Sequence, residues 1–413
     1  MKKYLVFISA LLVVISLVAC TPKVEQVEIT FKQNRPEIDG QLKAFAEAYE
    51  VETGIKVNIV SCGGSSCSLE EMLKSDVTSS NLPEIFVIND IEAYDQWATF
   101  AADLSAEKWV SDTDFALKTE DKVVGFPVSI EGWGMAYNAD LLEAAQIDPT
   151  TLNNYDAYVA AFAKLETMKV DLGIDSVVSM AVGTNMYWYT GDYIFNSLLS
   201  EGLTYGDLSV TNDLLAGKVD TIRLNMFAEW IDLIFSYADK TILTSGDYNS
   251  QVNAFLNQKA VFLHQGSWVD GNLKEATFNM AFAPNGSTKE VSDGIFVSVS
   301  DWYVVNKDAK HVEEAKDFLE FMVYSQIGQD YMVNKIGLTP AFKNFTIEPK
   351  GKLSRSVFTW VKAGKVYSLN QNYFTDEFRF SKISPMYDQL ANDILTVEQF
   401  KIIITRAFTD NAK

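Results

Sequence analysis

The sequence predicts an α/β protein of two lobes, in which each lobe is a mostly parallel sheet flanked by helices and hinge crossings join the two. A chain of 413 residues exceeds what one hydrophobic core usually holds. Strand-like and helix-like segments alternate over residues 27–88, which is typical of a parallel sheet with both faces covered. Two strand-rich segments that contain glycine, residues 121–139 and 293–306, are interpreted as the crossings between the lobes.

The composition supports packed cores and narrows the class of partner. Hydrophobic residues make up 48% of the chain and charged residues 22%, as in ordinary globular domains. The formal net charge of -21 repels the phosphate backbone of nucleic acids and the surface of anionic membranes. We therefore expect no nucleic-acid partner and no polybasic membrane docking, whereas neutral or cationic partners fit the charge.

The N-terminus carries an export pattern. A basic start precedes an apolar run over residues 4–18, and the sequence LVAC ends at Cys20. This pattern resembles the lipobox of bacterial lipoproteins. It predicts a signal peptide at residues 1–19 and a lipidated tether at residues 20–26, so the exported protein is lipid-anchored to the outer face of the cytoplasmic membrane, at the cell surface or in a periplasm. An ordinary signal peptide or one anchoring helix is the alternative, although the apolar run is short for a membrane span.

Two cysteines, Cys62 and Cys67, remain once Cys20 is set aside, and they flank a glycine-containing loop. In an oxidising compartment such a pair predicts a structural disulfide. A reduced pair and a redox couple are the alternatives, but the spacing is not C-x-x-C and no His or Lys adjoins the pair to activate a thiol. Since the whole chain adds only His264 and His311, we expect no zinc, and no other cofactor is predicted.

The elements of the predicted first lobe follow in the order strand, helix, strand, helix, strand. Their predicted bounds are residues 27–31, 39–53, 56–61, 68–74 and 85–88. Gly54 ends the first helix and Ser68 caps the second. Because ligands of parallel sheets bind beyond the carboxyl ends of the strands, the loop at residues 62–67, Asn89 and Asp90 are expected at a binding site.

The rest of the chain predicts further helices and strands around the two crossings. The predicted helices are residues 141–145, 153–167, 221–236, 250–257 and 313–322, and the predicted strands are residues 177–182 and 259–263. Four bulky residues follow one another at 186–189, and since they cannot all point inward, Trp188 or Tyr189 is expected to face a cleft. Trp268 lies just past a strand end, where a stacking residue is needed.

The first crossing is placed at residues 128–131, and it delivers a carboxylate and a large aromatic ring together. Glu131 is expected to lie on the hinge and also to accept a ligand hydrogen bond, with Trp133 beside it. The second crossing adds Asp293 and Trp302 to the candidate ligand residues, and a late polar-aromatic loop adds Tyr373.

Blocks spread over the mature chain carry a family resemblance. They are GFP at 125–127, YN at 137–138, KA at 259–260, GSW at 266–268, EAKDFL at 314–319 and GLTP at 337–340. In this order they resemble the extracellular solute-binding proteins, family 1 type, of carbohydrate ABC transporters. The glycines at 63–64, EGWG at 131–134 and residues 146–155 are most similar to the raffinose-type and isomaltose-type α-oligosaccharide-binding lipoproteins.

The resemblance implies a two-lobed periplasmic-binding-protein fold with a sugar held in the cleft. It also implies sugar contacts for Asp90, Glu131 and Trp268, which occupy the matching positions. The cysteine pair is a departure from the family's usual pattern, and so is the loop at residues 373–378, which lacks the proline-glycine often found there.

The chemistry of a sugar supports the same interpretation from the residues themselves. A sugar ring has an apolar C–H face, which suits flat aromatic rings, and an edge of hydroxyls, which suits carboxylates and amides. The candidate ligand-binding residues are Asn89, Asp90, Glu131, Trp133, Trp188, Tyr189, Trp268, Asp293, Trp302 and Tyr373. The alternatives are solvated surface charges for the carboxylates, core packing for the aromatics and hinge packing for Trp302.

These observations predict a substrate-binding lipoprotein of an ABC importer, and not an enzyme. It would capture an α-linked oligosaccharide by hinge closure and deliver it, as a monomer, to the permease subunits, touching the membrane only through its lipid anchor. The predicted lobes are residues 24–128 plus 299–345 and residues 129–298 plus 346–413. A surface glycan-binding adhesin, a glycosidase, and a peptide or polyamine transporter are the alternatives.

Overall fold

The computed structural model describes residues 26–63, 67–89, 91–119 and 121–412, and for residues 91–93 it describes the backbone only. The predicted signal peptide, the lipidated Cys20 and the candidate ligand residue Asp90 therefore lie outside the described residues. None of the helices in the described ranges combines the length and the apolar character needed to span a membrane.

The strands divide between two sheets. In chain order they are β1 (Glu28–Gln33), β2 (Lys56–Ser61), β3 (Ile85–Ile88), β4 (Leu117–Lys118), β5 (Val123–Pro127), β6 (Ile130–Asn138), β7 (Ser176–Ser179), β8 (Ala260–Gly266), β9 (Met280–Ala283), β10 (Ile295–Val299), β11 (Trp302–Val305) and β12 (Val366–Ser368). The first sheet has the order β2-β1-β3-β11-β5-β4. The second has the order β12-β10-β6-β8-β7, with β9 also paired to β6.

Helices cover both sheets. They are α1 (Asp39–Thr53), α2 (Leu69–Thr78), α3 (Ile91–Trp97), α4 (Ala139–Ala144), α5 (Tyr155–Thr167), α6 (Lys169–Leu172), α7 (Tyr187–Tyr189), α8 (Asn196–Leu199), α9 (Ser209–Leu215), α10 (Thr221–Ser236), α11 (Lys240–Ser245), α12 (Tyr248–Leu256), α13 (Val312–Tyr324), α14 (Gln326–Asp330), α15 (Lys352–Lys362), α16 (Ser384–Ala391) and α17 (Val397–Thr409). Three π-helical segments are also described: Thr190–Ile194, Tyr331–Lys335 and Glu377–Ile383.

Sequence pattern explains the helices of the first lobe. The first helix buries Leu42, Phe45 and Tyr49, whose spacing of three and four residues lines one face, and it ends at Gly54 with a left-handed φ of 77°. The Ser68 side chain accepts a hydrogen bond from the Glu71 backbone N–H at 3.3 Å, so it caps the second helix as predicted. Local spacing and capping residues therefore determine where these elements begin and end.

The predicted α/β fold of two sheets is confirmed, with one correction to strand direction. The strand β1 pairs in parallel with β2 and β3, and β12 and β7 pair in parallel with β10 and β8. The remaining pairs are antiparallel, so the sheets are mixed rather than mostly parallel. The reason is that the chain leaves each sheet and later returns to it, which inserts β6 and β11 in the opposite direction.

Two short crossings connect the sheets side by side. One runs from β5 to β6 through residues 128–129, and the other runs from β10 to β11 through residues 300–301. The Val128 N–H donates to the Asp301 carbonyl at 3.0 Å, and the Ser300 N–H donates to the Ser129 carbonyl at 3.0 Å. The hydroxyls of Ser129 and Ser300 lie 2.7 Å apart. The crossings therefore form a small antiparallel ribbon, while the predicted lobe boundaries remain a prediction.

The buried apolar side chains form two clusters. One contains the interior of the first sheet, including Phe31 and Phe126, and continues to the face of the second sheet that α15 covers through Val357. The other lies on the opposite face of the second sheet and contains Trp133, Met135 and Trp230. The second sheet is thus buried on both faces, which explains the nearly continuous apolar strand β8.

Candidate ligand-binding cleft

The crossings form the base of a cleft between the two sheets, and three charged groups meet there. Glu131 is the second residue of β6, Asp301 lies in the second crossing, and Arg35 follows the end of β1. Burial raises the pKa of both Glu131 and Asp301, and the nearby Arg35 guanidinium opposes that rise in each case. The first crossing is thus shorter than the predicted residues 128–131, and Glu131 lies just past it in β6. Arg35 and Asp301, which were not predicted, lie near Glu131.

Four aromatic side chains, Trp188, Tyr193, Tyr248 and Trp268, form an aromatic wall on the second sheet's side of the cleft. The centroid of the Trp268 ring lies 4.6 Å from that of Tyr193 and 6.2 Å from that of Trp188. The ring centroids of Trp188 and Tyr248 are 6.4 Å apart. The Trp188 side chain is 37% exposed, so part of its ring is open to solvent. Burial raises the pKa of Tyr193, and the charge of Glu131 adds to the rise, which places the wall beside the carboxylate.

Trp268 is positioned by the residues that precede it. A Cβ on Gly266 would lie 2.1 Å from the Trp268 ring, so only glycine allows the ring to lie this close to the strand. The Trp268 indole N–H donates to the Gln265 side-chain oxygen at 3.0 Å, and the Ser267 hydroxyl accepts from the Gly132 N–H at 3.1 Å. The Trp268 ring therefore covers Gly266, the partner of Trp133 in the register of β6 with β8. Since Glu131 and Trp133 alternate onto the same face of β6, the ring lies on the face of the sheet that carries Glu131.

Tyr193 reaches the cleft from a π-helical turn. The segment Thr190–Ile194 packs against the other π-helical segment of the second lobe, Glu377–Ile383, and Arg379 of that segment forms an ion pair with Asp192. A Cβ on Gly191 would lie 2.7 Å from the Ser384 hydroxyl, so the turn packs closely against the start of α16. Single π-turns inside helices recur at functional sites because they re-aim side chains. Here the turn directs a tyrosine that the sequence analysis did not select.

Two of the predicted ligand contacts, Trp133 and Tyr189, are corrected by their burial. Both side chains have no exposed surface, and the Trp133 ring lies 4.9 Å from His264 within the second core. The Trp133 indole N–H donates to the Tyr189 hydroxyl at 3.4 Å, and that hydroxyl lies 2.9 Å from the His264 Nδ1. Of the pair Trp188 and Tyr189, it is Trp188 that is open to solvent, so the expectation of a residue facing a cleft is left to Trp188 alone. The two buried rings support the aromatic wall from behind.

The far side of the cleft brings together three other predicted residues. Asn89, Trp302 and Tyr373 line one cavity of about 220 Å³, together with Tyr205. Tyr373 is 41% exposed, whereas the Trp302 indole N–H donates to the Phe115 carbonyl at 3.0 Å and its ring is partly buried. The cavity receives residues from both sheets. Trp302 therefore packs against residues of the first lobe and also lines this cavity.

Asp293 is a second correction, because it lies away from the cleft. It is exposed, its carboxylate lies 3.7 Å from the Lys365 ammonium, and it lines a separate cavity with Tyr137 and Trp360. The strand β10 meets the crossing at Val299, and Asp293 precedes the other end of that strand. At about 3.3 Å per residue, six residues of extended chain place it roughly 20 Å from the crossing.

The first lobe adds a polar cavity of about 600 Å³ at the carboxyl ends of its parallel strands. Its lining includes Asn34, Asn89, Trp97 and the cysteines Cys62 and Cys67. The two cysteines form a disulfide with their Cα atoms 5.3 Å apart, as the sequence predicted. The rule that ligands bind beyond strand ends selected Asn89, and applied to β1 it would also have found Asn34 and Arg35.

The described side chains contain no group of three or more His, Cys, Asp or Glu residues that could hold a metal ion. The arrangement in the cleft is instead one of flat rings beside a partly buried carboxylate and several amides. Such a set can stack on an apolar face and hydrogen-bond to polar groups at its edge. Two α/β sheets joined by short crossings, with such a site between them, define a two-lobed binding protein.

Comparison with known proteins agrees with that class. The profile of the family described as bacterial extracellular solute-binding protein matches residues 44–353, and the chain belongs to this family. The chain is 22% identical over 388 residues to the multiple sugar-binding protein of Streptococcus mutans, covering 86% of each chain. Among solved structures it is similar to ligand-free RafE from Streptococcus pneumoniae, with a TM-score of 0.74, 17% identity and coverage of 95% of this chain and 100% of that one. A sugar transporter protein from Bacillus licheniformis, solved with stachyose, gives a TM-score of 0.60 at 19% identity, with coverage of 93% and 100%.

Proposed function

We propose that the protein is the substrate-binding component of an ABC importer, and that it captures a sugar, an α-linked oligosaccharide, in the cleft between its lobes. The observation that carries the proposal is the aromatic wall of Trp188, Tyr193, Tyr248 and Trp268 beside the partly buried carboxylate of Glu131. The relatives add support, since one is a multiple sugar-binding protein and another was solved with stachyose.

The chemistry of the wall suits a sugar. Trp268 and Trp188 offer flat apolar faces for the C–H side of a pyranose ring, and stacking on such faces is favourable when water is displaced. Glu131 can accept hydrogen bonds from two adjacent hydroxyls, and a hydrogen bond to a charged group contributes about 1.5–3 kcal/mol. On the far side, Asn89 and Tyr373 provide further polar contacts. An elongated ligand would touch both sides of the cleft.

Capture would proceed by closure of the lobes. A ligand that contacts both lobes binds the closed state better than the open state, so it shifts the population toward closure by that difference in affinity. The ribbon of two short crossings at residues 128–129 and 300–301 is a natural hinge, because few backbone dihedrals need to change. The closed form would then deliver the sugar to the permease subunits. Lipidation of Cys20 would keep the protein on the outer face of the membrane.

A sugar panel tests the proposal directly. Raffinose, stachyose and maltotriose are added to the purified mature protein, and its melting temperature is recorded. A ligand that binds only the folded protein stabilises it by about 2.7 kcal/mol at a hundredfold excess over Kd, so a binding sugar raises the melting temperature clearly. Product analysis of the same mixtures distinguishes binding from hydrolysis. Repeated cleavage of the sugar, or no shift with any sugar, would contradict the proposal.

Calorimetry on two tryptophan variants then tests the site. Trp268→Ala removes a ring of the aromatic wall and is expected to weaken binding of the active sugar at least tenfold. Trp360→Ala is the matched control, because Trp360 is also partly buried and also donates its indole N–H, to the Phe282 carbonyl at 3.1 Å, but lies on the outer face of the second sheet. Equal affinities in the two variants would remove Trp268 from the site.

A further inference from the structure

Cys62 and Gly63, at the start of the disulfide loop, contact the turn that follows β1. The Cys62 N–H donates to the Gln33 carbonyl at 2.8 Å. A Cβ on Gly63 would lie 2.2 Å from the Asn34 carbonyl oxygen and 3.0 Å from the Pro36 ring, so the two backbones are in direct contact. This contact lies one residue inside the loop that the Cys62–Cys67 bridge closes. The bridge therefore limits how far Gly63 can move away from Asn34.

Asn34 connects that contact to the cleft. Its side-chain NH₂ donates to the Asn89 side-chain oxygen at 2.6 Å. Asn34 also lies close enough to the Asp301 carboxylate in the second crossing to lower the pKa of that group. The Asn34 side-chain oxygen is buried and has no hydrogen-bond partner among the described residues. Asn34 therefore lies between the first lobe's strand ends and the hinge, with an acceptor that no described residue uses.

The next residue, Arg35, is held by the same turn. Its N–H donates to the Gln33 side-chain oxygen at 2.5 Å, and the Gln33 side-chain NH₂ donates to the Arg35 carbonyl at 3.0 Å. The Arg35 guanidinium acts on the carboxylates of Glu131 and Asp301 at the base of the cleft. A displacement of the turn would thus move the Arg35 guanidinium, the Asn34 amide and its hydrogen-bond partner Asn89 together.

We infer that the Cys62–Cys67 disulfide is a positioning element of the ligand site, so that ligand affinity depends on the oxidised bridge. By holding Gly63 against Asn34, the bridge keeps Asn34, Arg35 and Asn89 in the arrangement that faces the ligand. The inference rests on the proposed function, because it concerns the same cleft. A bridge with a merely structural role would lower the melting temperature when lost and leave the dissociation constant of the folded protein unchanged.

The bridge can be opened reversibly. A dithiol such as dithiothreitol attacks one cysteine sulfur as its thiolate, the resulting mixed disulfide is released by the second thiol, and the reductant leaves as a cyclic disulfide. The S–S bond gives two thiols, with two electrons and two protons supplied by the reductant. Reoxidation with oxidised glutathione returns the bridge and is expected to return the affinity.

The test is calorimetry with raffinose, well below the melting transition, on the mature protein and three variants. The double variant Cys62→Ala/Cys67→Ala lacks the bridge, and Gly63→Ala keeps the bridge but fills the contact with Asn34. Both are expected to bind at least tenfold more weakly, with unchanged circular dichroism. Gly40→Ala is the matched control, because a Cβ at Gly40 meets open space, and it should bind like the unchanged protein.

The outcomes separate the two proposals. If the oxidised, unchanged protein binds no sugar of the panel, the proposed function fails. If that protein binds raffinose and both the double variant and Gly63→Ala bind equally well, the role of the disulfide is refuted while the function stands. Should the double variant not fold, Gly63→Ala and the reversible loss of affinity on reduction of the folded protein decide the matter.

Discussion

Glu131 on β6 and Trp268 in the turn after β8 lie at the same end of two neighbouring strands, and each has a glycine beside it. Gly266 leaves room for the Trp268 ring, and the Gly132 N–H donates to Ser267 in the turn that carries that ring. A Cβ on Gly132 would also lie 2.3 Å from Val357, so this strand packs closely on α15. Close backbone packing at these glycines therefore helps to place the two candidate ligand-binding side chains, in addition to the contacts that Trp268 makes with its own ring and N–H.

Replacing Glu131 by glutamine should weaken sugar binding about tenfold or more and leave stability unchanged or slightly higher. The amide loses the charged hydrogen bonds to sugar hydroxyls, while burial no longer disfavours a charge. The pKa of Glu131 in the folded protein is raised above 4.5, so the folded protein holds its proton more tightly than the unfolded chain. The unchanged protein therefore loses stability as pH rises from 4.5 to the folded pKa, and Glu131→Gln should lose this dependence. Calorimetry and urea unfolding at several pH values measure both effects. An unchanged dissociation constant would leave Glu131 with a role in the hinge only.

At this scale the sequence could predict which residues lie near the crossing but not which way each side chain points. Alternation along β6 puts Glu131 and Trp133 on the same face, yet only Glu131 lies at the cleft. Trp133 is fully buried in the second core, with its ring packed against His264. Asp293 was predicted as a ligand residue because it opens the segment of the second crossing, and nothing local reveals that β10 runs about 20 Å from there to the crossing. Depth and distance depend on how strands pair, which a single segment does not contain.

Among the elements of the second lobe, a network of buried polar side chains joins β8 to α8. The His264 Nε2 lies 3.2 Å from the Asn285 side-chain oxygen, and the Asn285 NH₂ donates to the Ser197 hydroxyl at 3.0 Å. Ser287 then donates to the Glu201 carboxylate. The two ionisable groups at the ends of this network, His264 and Glu201, are fully buried. The network therefore ties two elements together through groups whose charge is costly.

The two ends titrate in opposite senses. Burial lowers the pKa of His264 from 6.5 to about 3, so the folded protein binds fewer protons than the unfolded chain in that interval, and stability rises with pH. Burial raises the pKa of Glu201 from 4.5 to about 7, so the folded protein binds more protons, and stability falls as pH rises. Between pH 4.5 and 6.5 the two dependences oppose each other, each by about 1.4 kcal/mol per pH unit.

Glu201→Gln should therefore uncover the histidine's dependence. Relative to the unchanged protein, the variant should gain stability as pH rises from 4.5 to 7, by up to about 3 kcal/mol, because the buried carboxylate no longer has to ionise. Urea unfolding at pH 4.5, 5.5, 6.5 and 7 measures the difference. Glu143→Gln, which removes an exposed carboxylate, is the control. A difference between Glu201→Gln and the unchanged protein that does not vary with pH would show that Glu201 is not neutral in the fold.

Elements with their own local signals were predictable, and the pairing between them was not. The helix predicted at residues 221–236 is found with those bounds, since Asp220 caps it and its apolar spacing is regular. The directions of β6 and β11 depend on segments more than 150 residues apart, as the register of Val299 with Ile130 shows. Helices follow from nearby residues, whereas strand order follows from which distant strands find one another.

Over the whole molecule, three segments join the lobes: the two crossings and residues 336–351, in which the Thr339 carbonyl accepts from the Ile130 N–H at 2.9 Å. The backbone hydrogen bonds of the two crossings, Val128 to Asp301 and Ser300 to Ser129, join one crossing to the other rather than one lobe to the other. A rotation of the lobes can therefore leave these bonds intact while it changes the width of the cleft. The contact between the Phe115 and Tyr205 rings, 5.0 Å apart, lies beside the cleft and joins residues of the two sides. It is the kind of contact that such a rotation would alter.

The binding sugar should make the molecule more compact in solution. If it contacts both sides of the cleft, it favours the closed state by its difference in affinity, and about 1.4 kcal/mol of that difference changes the ratio of closed to open molecules tenfold. Small-angle X-ray scattering across a titration should then show a radius of gyration that falls along the same curve as calorimetric binding. Trp268→Ala should need proportionally more sugar to reach the same compact state, because the variant loses affinity without losing the hinge. A radius that stays constant while calorimetry shows saturation would mean that the sugar binds without closure, and the crossings would then serve only to connect the sheets.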